Sequence, residues 1–197
     1  MKQLIIILLL IILANHSKAK DKPIPKMSFE QILTKIIPND HIDYWEYRNY
    51  DYIESTTEVI FSKGIKPASI AIPDIKISSS FREGCHPTMC FDYIATVEDG
   101  KTYYIDETKE VCDFVGKIDN LEEGLFLRYI IAPEYYSINE EGESTGMYNL
   151  NKQEITFILL KDEFTHPKLV GQYKISINRT THELSINRIE TYYQEEL

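Results

Sequence analysis

Apolar residues recur at two different periods along this chain, and the changes of period predict its elements. Over 28–37, Phe29, Ile32, Leu33, Ile36 and Ile37 fall at helical spacing, Ser28 and Gln31 form a capping-box pattern, and Pro38 stops the run. An aromatic segment over 44–52 follows, and the composition then turns to strand formers over 56–61 and 68–77. Phe91, Tyr93, Ala95 and Val97 share one face of a strand over 90–97, and the turn pair Asp99-Gly100 sends the chain back through 102–105 as a hairpin. A short helix with Val111, Phe114 and Val115 inward ends at Gly116. A second helix, capped by Asp119 and Glu122, runs to Ile131 with Leu121, Leu125, Phe126, Ile130 and Ile131 as its apolar face, and Pro133 closes it.

The C-terminal third returns to strands. Residues 155–160 are apolar at both parities, which suits a central strand covered on both sides. Gly171, Tyr173, Ile175 and Ile177 then alternate with Gln172, Lys174 and Ser176, and the chain comes back through Leu184 and Ile186. The parity has changed by Ile189, which predicts a bulge near Asn187. Runs of strands interrupted by a block of helices predict an α+β domain, a mainly antiparallel sheet with an N-terminal helix and a central two-helix block.

The start of the chain follows another pattern. Met1-Lys2-Gln3 precede an unbroken apolar run over 4–14, and small residues stand at Ser17 and Ala19. A positive start, an apolar stretch and small residues before the cut are the three parts of a secretory signal peptide over 1–19, cleaved after Ala19. The run is too short for a membrane span, which needs about 20 apolar residues, so the processed chain is expected to have no transmembrane span. Residues 20–27 then read as an extended, mobile lead-in bearing Pro23 and Pro25, and 28–197 as one domain large enough to bury a core. The expected location is periplasmic or secreted.

Charge narrows the partners. With 21 basic and 31 acidic residues the chain carries −10, and removal of Lys2 and Lys18 with the signal peptide takes it to −12. Nucleic-acid affinity rests on clustered Lys and Arg, so nucleic acid and anionic lipid are excluded as expected partners. The segments Asp99-Gly100-Lys101 to Ile105 and Phe114-Val115-Gly116-Lys117-Ile118-Asp119-Asn120-Leu121-Glu122-Glu123 resemble a stretch found in uncharacterised exported proteins of the Bacteroidota. The resemblance implies a cell-envelope or secreted setting and brings no active-site residues with it.

Candidate chemistry is sparse. Gly142-Glu143-Ser144-Thr145-Gly146 matches the G-x-S-x-G pattern, and Asp162, His166 and His182 follow in triad order. A nucleophile elbow sits between a buried strand and a helix, however, and neither 135–141 nor 147–152 supplies one, so a polar loop is the better reading. Cys85, His86, Cys90 and Cys112 could make a Cys₃His metal set, but their spacing is not diagnostic, and an oxidising compartment favours a disulfide. Cys85–Cys90 is the expected pair with Cys112 as a leftover buried thiol, a pairing through Cys112 remaining the alternative; no metal site is expected. Glycine-rich phosphate loops are absent, so no cofactor is expected. The densest aromatic cluster, Tyr44, Trp45, Tyr47, Tyr50 and Tyr52, either lines the core edge or offers rings to a partner or a sugar. Together these features lean away from an enzyme. They suggest an exported non-catalytic domain binding another envelope or extracellular protein, the alternatives being a carbohydrate-binding domain using the aromatic cluster and a small serine hydrolase using Ser144.

Overall fold

The structure is a computed structural model and describes residues 20–38, 42–51, 56–73, 92–136, 146–163 and 169–193. In chain order its elements are β1 (Lys22–Pro23), α1 (Phe29–Lys35), β2 (Tyr44–Asp51), β3 (Thr56–Gly64), β4 (Asp92–Glu98), β5 (Lys101–Ile105), α2 (Thr108–Val115), α3 (Leu121–Ile131), β6 (Met147–Leu150), β7 (Glu154–Asp162), β8 (Leu169–Asn178) and β9 (Leu184–Tyr193). The strands form two antiparallel sheets, ordered β1-β6-β7-β8-β9 and β3-β2-β4-β5. The expected α+β class is therefore overturned: the fold is β-rich, with 47% of the described residues in strands against 20% in helices, and the strands make two sheets. The three helices lie where the helical period placed them.

Local chemistry accounts for the boundaries. The Ser28 hydroxyl accepts from Gln31 N while the Gln31 side chain accepts from Ser28 N, the reciprocal capping box expected for α1. The helix ends at Lys35 rather than Ile37, because Ile36 is already extended ahead of Pro38. The cap of α3 falls one residue later than predicted: Asn120 and Glu123 exchange the capping hydrogen bonds. In the β4–β5 hairpin both Asp99 (φ 48°) and Gly100 (φ 74°) take the left-handed conformation that twists the two strands together.

Three segments depart from expectation. The aromatic run 44–52 contributes β2, a central strand paired with β3 on one side and β4 on the other. Lys22 and Pro23, within the stretch expected to be a mobile lead-in, pair with Tyr148 and Met147, and Ile24 is buried in the core. Residues 68–73, expected as the start of a strand, have no regular structure, while 74–77 lie outside the described residues. The bulge expected near Asn187 is present, at Ile189, since Gln172 pairs with Glu190 and Tyr173 with Arg188.

The helices lie against the inner faces of the sheets. On one side of α3, Gly124 presses against β7: an added Cβ would collide with the Ile155 Cδ1 methyl and stand 3.3 Å from Phe157 Cζ. On the other side Phe126 meets Tyr47 of β2 edge-on at 6.0 Å. Phe29 of α1 packs on Tyr47 at 5.1 Å and Phe114 of α2 on Trp45 at 5.4 Å, so a single core joins both sheets and all three helices. Burial of these large side chains supplies the main favourable free energy of the fold.

Candidate functional site

Alternation along β2 sorts its side chains onto two faces. Trp45 and Tyr47 point into the core at 2% and 1% exposure, whereas Tyr44, Glu46 and Arg48 line the opposite, outer face of the sheet. That outer face holds a buried ionic cluster. Arg48 donates from Nε to Glu46 Oε2 at 2.6 Å and reaches the same oxygen from Nη2 at 2.5 Å. Tyr44 donates to Glu46 Oε1 at 2.6 Å, and Lys66 Nζ stands 3.5 Å from that oxygen. Arg48 also donates to Ile72 O at 3.3 Å and contacts Tyr93 Oη at 3.5 Å.

Burial pushes the Glu46 carboxyl upward, but hydrogen bonds from Tyr44 and Arg48 and the charges of Arg48 and Lys66 outweigh it and hold the group below the ordinary carboxylate value. Tyr44 moves the other way, raised first by burial and then by its bond to Glu46. Both oxygens of Glu46 are thus engaged and the carboxylate is held ionised, an arrangement suited to an ion-pair clamp and poorly suited to a general base. No motif in the sequence points to this pair. Its signal was the every-second-residue placement of Tyr44, Glu46 and Arg48, visible only once 44–51 is read as a strand.

The other sequence candidates separate in space. Asp162 ends β7 opposite Val170, whereas His182 follows Asn178, which pairs with Glu154 at the far end of the same strand. At ~3.3 Å per residue the two ends of β7 lie about 26 Å apart, so Asp162 and the turn that carries His182 cannot share a triad. His182 Nε2 is hydrogen-bonded to Gly116 O at 2.6 Å, and Asp162 accepts from the Tyr136 hydroxyl at 2.7 Å. Ser144 and His166 lie outside the described residues, as do Cys85, His86 and Cys90. Cys112 is a free thiol at 8% exposure, pushed up to about 11 by burial and then by the Asp113 charge, which makes it a poor nucleophile at neutral pH. Tyr44 is itself only 8% exposed, so Tyr44, Trp45 and Tyr47 offer no open ring surface; Tyr50 is in β2 in register with Thr57, and Tyr52 lies outside the described residues.

Two further features are open to solvent. A groove of about 630 Å³ lies beside the N-terminus of α3, lined by Lys20, Asp21, Asp119, Asn120, Leu121 and Tyr148 among others. Among the described residues the strand β9 ends its sheet, paired with β8, with Ile186 at 38% and Ile189 at 50% exposure. Among the described residues no group of three His, Cys, Asp or Glu could hold a metal, and no helix is long and apolar enough to cross a membrane. No protein-family model, curated protein or solved structure matches this chain.

Proposed function

We propose that the chain is an exported, non-catalytic domain that binds another protein by accepting one of its strands along β9. The observation that carries this reading is the outer edge of β9, which pairs with no other described strand: ten residues with two exposed isoleucines. An edge strand presents a row of backbone donors and acceptors to any extended segment laid beside it. The competing edges are less available. β1 is two residues long and β5 five, and Lys63 of β3 is bonded to the carbonyls of Thr34 and Ile36 at the end of α1.

The occupant is an extended strand of a different protein, with apolar side chains to meet Ile186 and Ile189. A second copy fits less well, because each processed chain would carry −12 and the pair would repel. The exported setting draws its support from the composition of residues 1–19, and the absence of an open aromatic platform at Tyr44, Trp45 and Tyr47 favours a protein over a sugar.

A photoreactive phenylalanine analogue placed at Ile189 in an exporting host tests the reading. One adduct of discrete mass is expected, lost when Ile186→Lys is added and absent when the probe is moved to Lys109, whose side chain is 83% exposed on α2. No adduct at Ile189, the same adduct from Lys109, or an adduct of twice the chain mass would each overturn it.

A further inference from the structure

Residues 65–73 follow β3 without regular secondary structure, and none of their side chains is buried. What ties them down is polar. Ile65 N donates to Asp43 O at 3.2 Å, and Lys66 Nζ stands 3.5 Å from Glu46 Oε1 and 5.9 Å from the centre of the Tyr44 ring. At the other end Arg48 Nη2 donates to Ile72 O at 3.3 Å and the Tyr104 hydroxyl to Pro73 O at 2.5 Å. Tyr44, Glu46, Arg48 and Tyr104 all belong to the outer face of the β3-β2-β4-β5 sheet, so the segment is strapped across that face. The floor of the same face is closed to water: Ala95 is 0%, Tyr93 1%, Glu46 3% and Arg48 5% exposed.

A segment with no buried apolar anchor opens at a lower free energy than the ladders beside it. The ladder of β2 is paired on both edges and carries Trp45 and Tyr47 in the core. We propose that residues 65–73 form a strap that opens as a unit while both sheets stay folded, with the Glu46–Arg48 pair as its latch. One carboxylate serves both ends of the strap. Glu46 holds Lys66 directly, and it orients the guanidinium whose Nη2 bonds Ile72 O. Opening loosens Lys66, Ile72 and Pro73 together and leaves two phenol rings, Tyr44 and Tyr93, beside an ionised carboxylate and a guanidinium. That polar and aromatic surface is hidden when the strap is closed. The inference is independent of the β9 reading, which concerns the other sheet.

Ala95→Cys places a thiol on the floor, one cross-strand step from both Glu46 and Tyr104, while the buried Cys112 reports opening of the core. Native-state alkylation followed by peptide mass spectrometry gives both rates in one sample. The introduced thiol is expected to react faster than Cys112, and Lys66→Ala combined with Tyr104→Phe to accelerate it by about tenfold or more with the Cys112 rate unchanged. Equal rates at the two thiols, or equal acceleration of both, would show that the floor is uncovered only by global unfolding and would overturn the strap. Should Ala95→Cys fail to fold, elastase supplies a second readout on the unaltered chain. A nick between Ala68 and Ala71 with the cooperative unfolding of the sheets preserved supports the strap, and resistance until global unfolding refutes it.

Discussion

Glu46→Ala is expected to cost the domain about 3–5 kcal/mol, the penalty of removing one member of a buried ion pair. The basis is the position of Arg48, 5% exposed and in contact through two nitrogens with a single carboxylate oxygen, on a sheet face that residues 65–73 cross. Removing the carboxylate takes away both contacts that Arg48 makes to Glu46 Oε2, and the neighbouring Tyr93 hydroxyl and Ile72 carbonyl carry no charge to replace it. The pair as a whole has a different worth. Its mutual attraction is offset by the desolvation of two charges, so the double replacement Glu46→Leu with Arg48→Met is expected to lie within about 1–2 kcal/mol of the parent. Urea titration of the three proteins checks this; a single substitution no worse than the double one would contradict it.

The same carboxyl gives a pH signature of fixed sign. Its folded value lies below the ordinary 4.5 of glutamate, so its contribution is complete above that value and is lost as pH falls through the folded one. The stability gap between the parent and Glu46→Gln is therefore expected to hold from neutral pH down to about 4.5 and to shrink below it. A gap that widens in acid would contradict the clamp.

Trp45→Ala is the second large effect, expected at about 3–5 kcal/mol, a substantial part of the 5–15 kcal/mol that holds a typical domain together. The indole fills the space between Phe61, 5.1 Å away, and Phe114, 5.4 Å away, at the junction of β2, β3 and α2. Its Nε1 is sealed without an acceptor, so Trp45→Phe deletes an unsatisfied donor along with part of the volume. That compensation keeps the expected cost of the phenylalanine variant to about 1 kcal/mol. Thermal melts of the pair separate packing from surface roles, because a tryptophan presented to a sugar or a partner would lose ligand on substitution and leave the melt in place.

The elements that could be read from the residues are those whose determinants are local. Ser28 and Gln31 are three residues apart and cap α1 by themselves; Asp99 and Gly100 set a hairpin by their own backbone conformations; residues 155–160 announce a covered strand by being apolar on both faces. The number of sheets is decided elsewhere. β2 hides its strand character because Glu46 and Arg48 occupy outer-face positions that a covered strand fills with apolar side chains, and their mutual pairing is a tertiary fact. With β2 unread, the second sheet had no centre, and the helices had one sheet to pack on rather than two. β1 was missed for a related reason: two residues carry no period, and Lys22 and Pro23 join the sheet only because β6 offers an edge, helped by Ile24 as an anchor. The candidate site was legible only in outline. Spacing could nominate Asp162 and His182 together, and only the register of β7 with β8 places them at opposite ends of a strand.

The most direct test of the exported reading is the intact mass and N-terminal sequence of the protein recovered from an exporting host. Ile24 N bonds to Gly146 O at 3.0 Å and Lys22 pairs with Tyr148, so the sheet uses the chain from about its twenty-second residue onward, and a cut after Ala19 would leave it whole. The account predicts a single soluble species beginning at Lys20. A chain that keeps residues 1–19, or one that begins beyond Ile24, would contradict it.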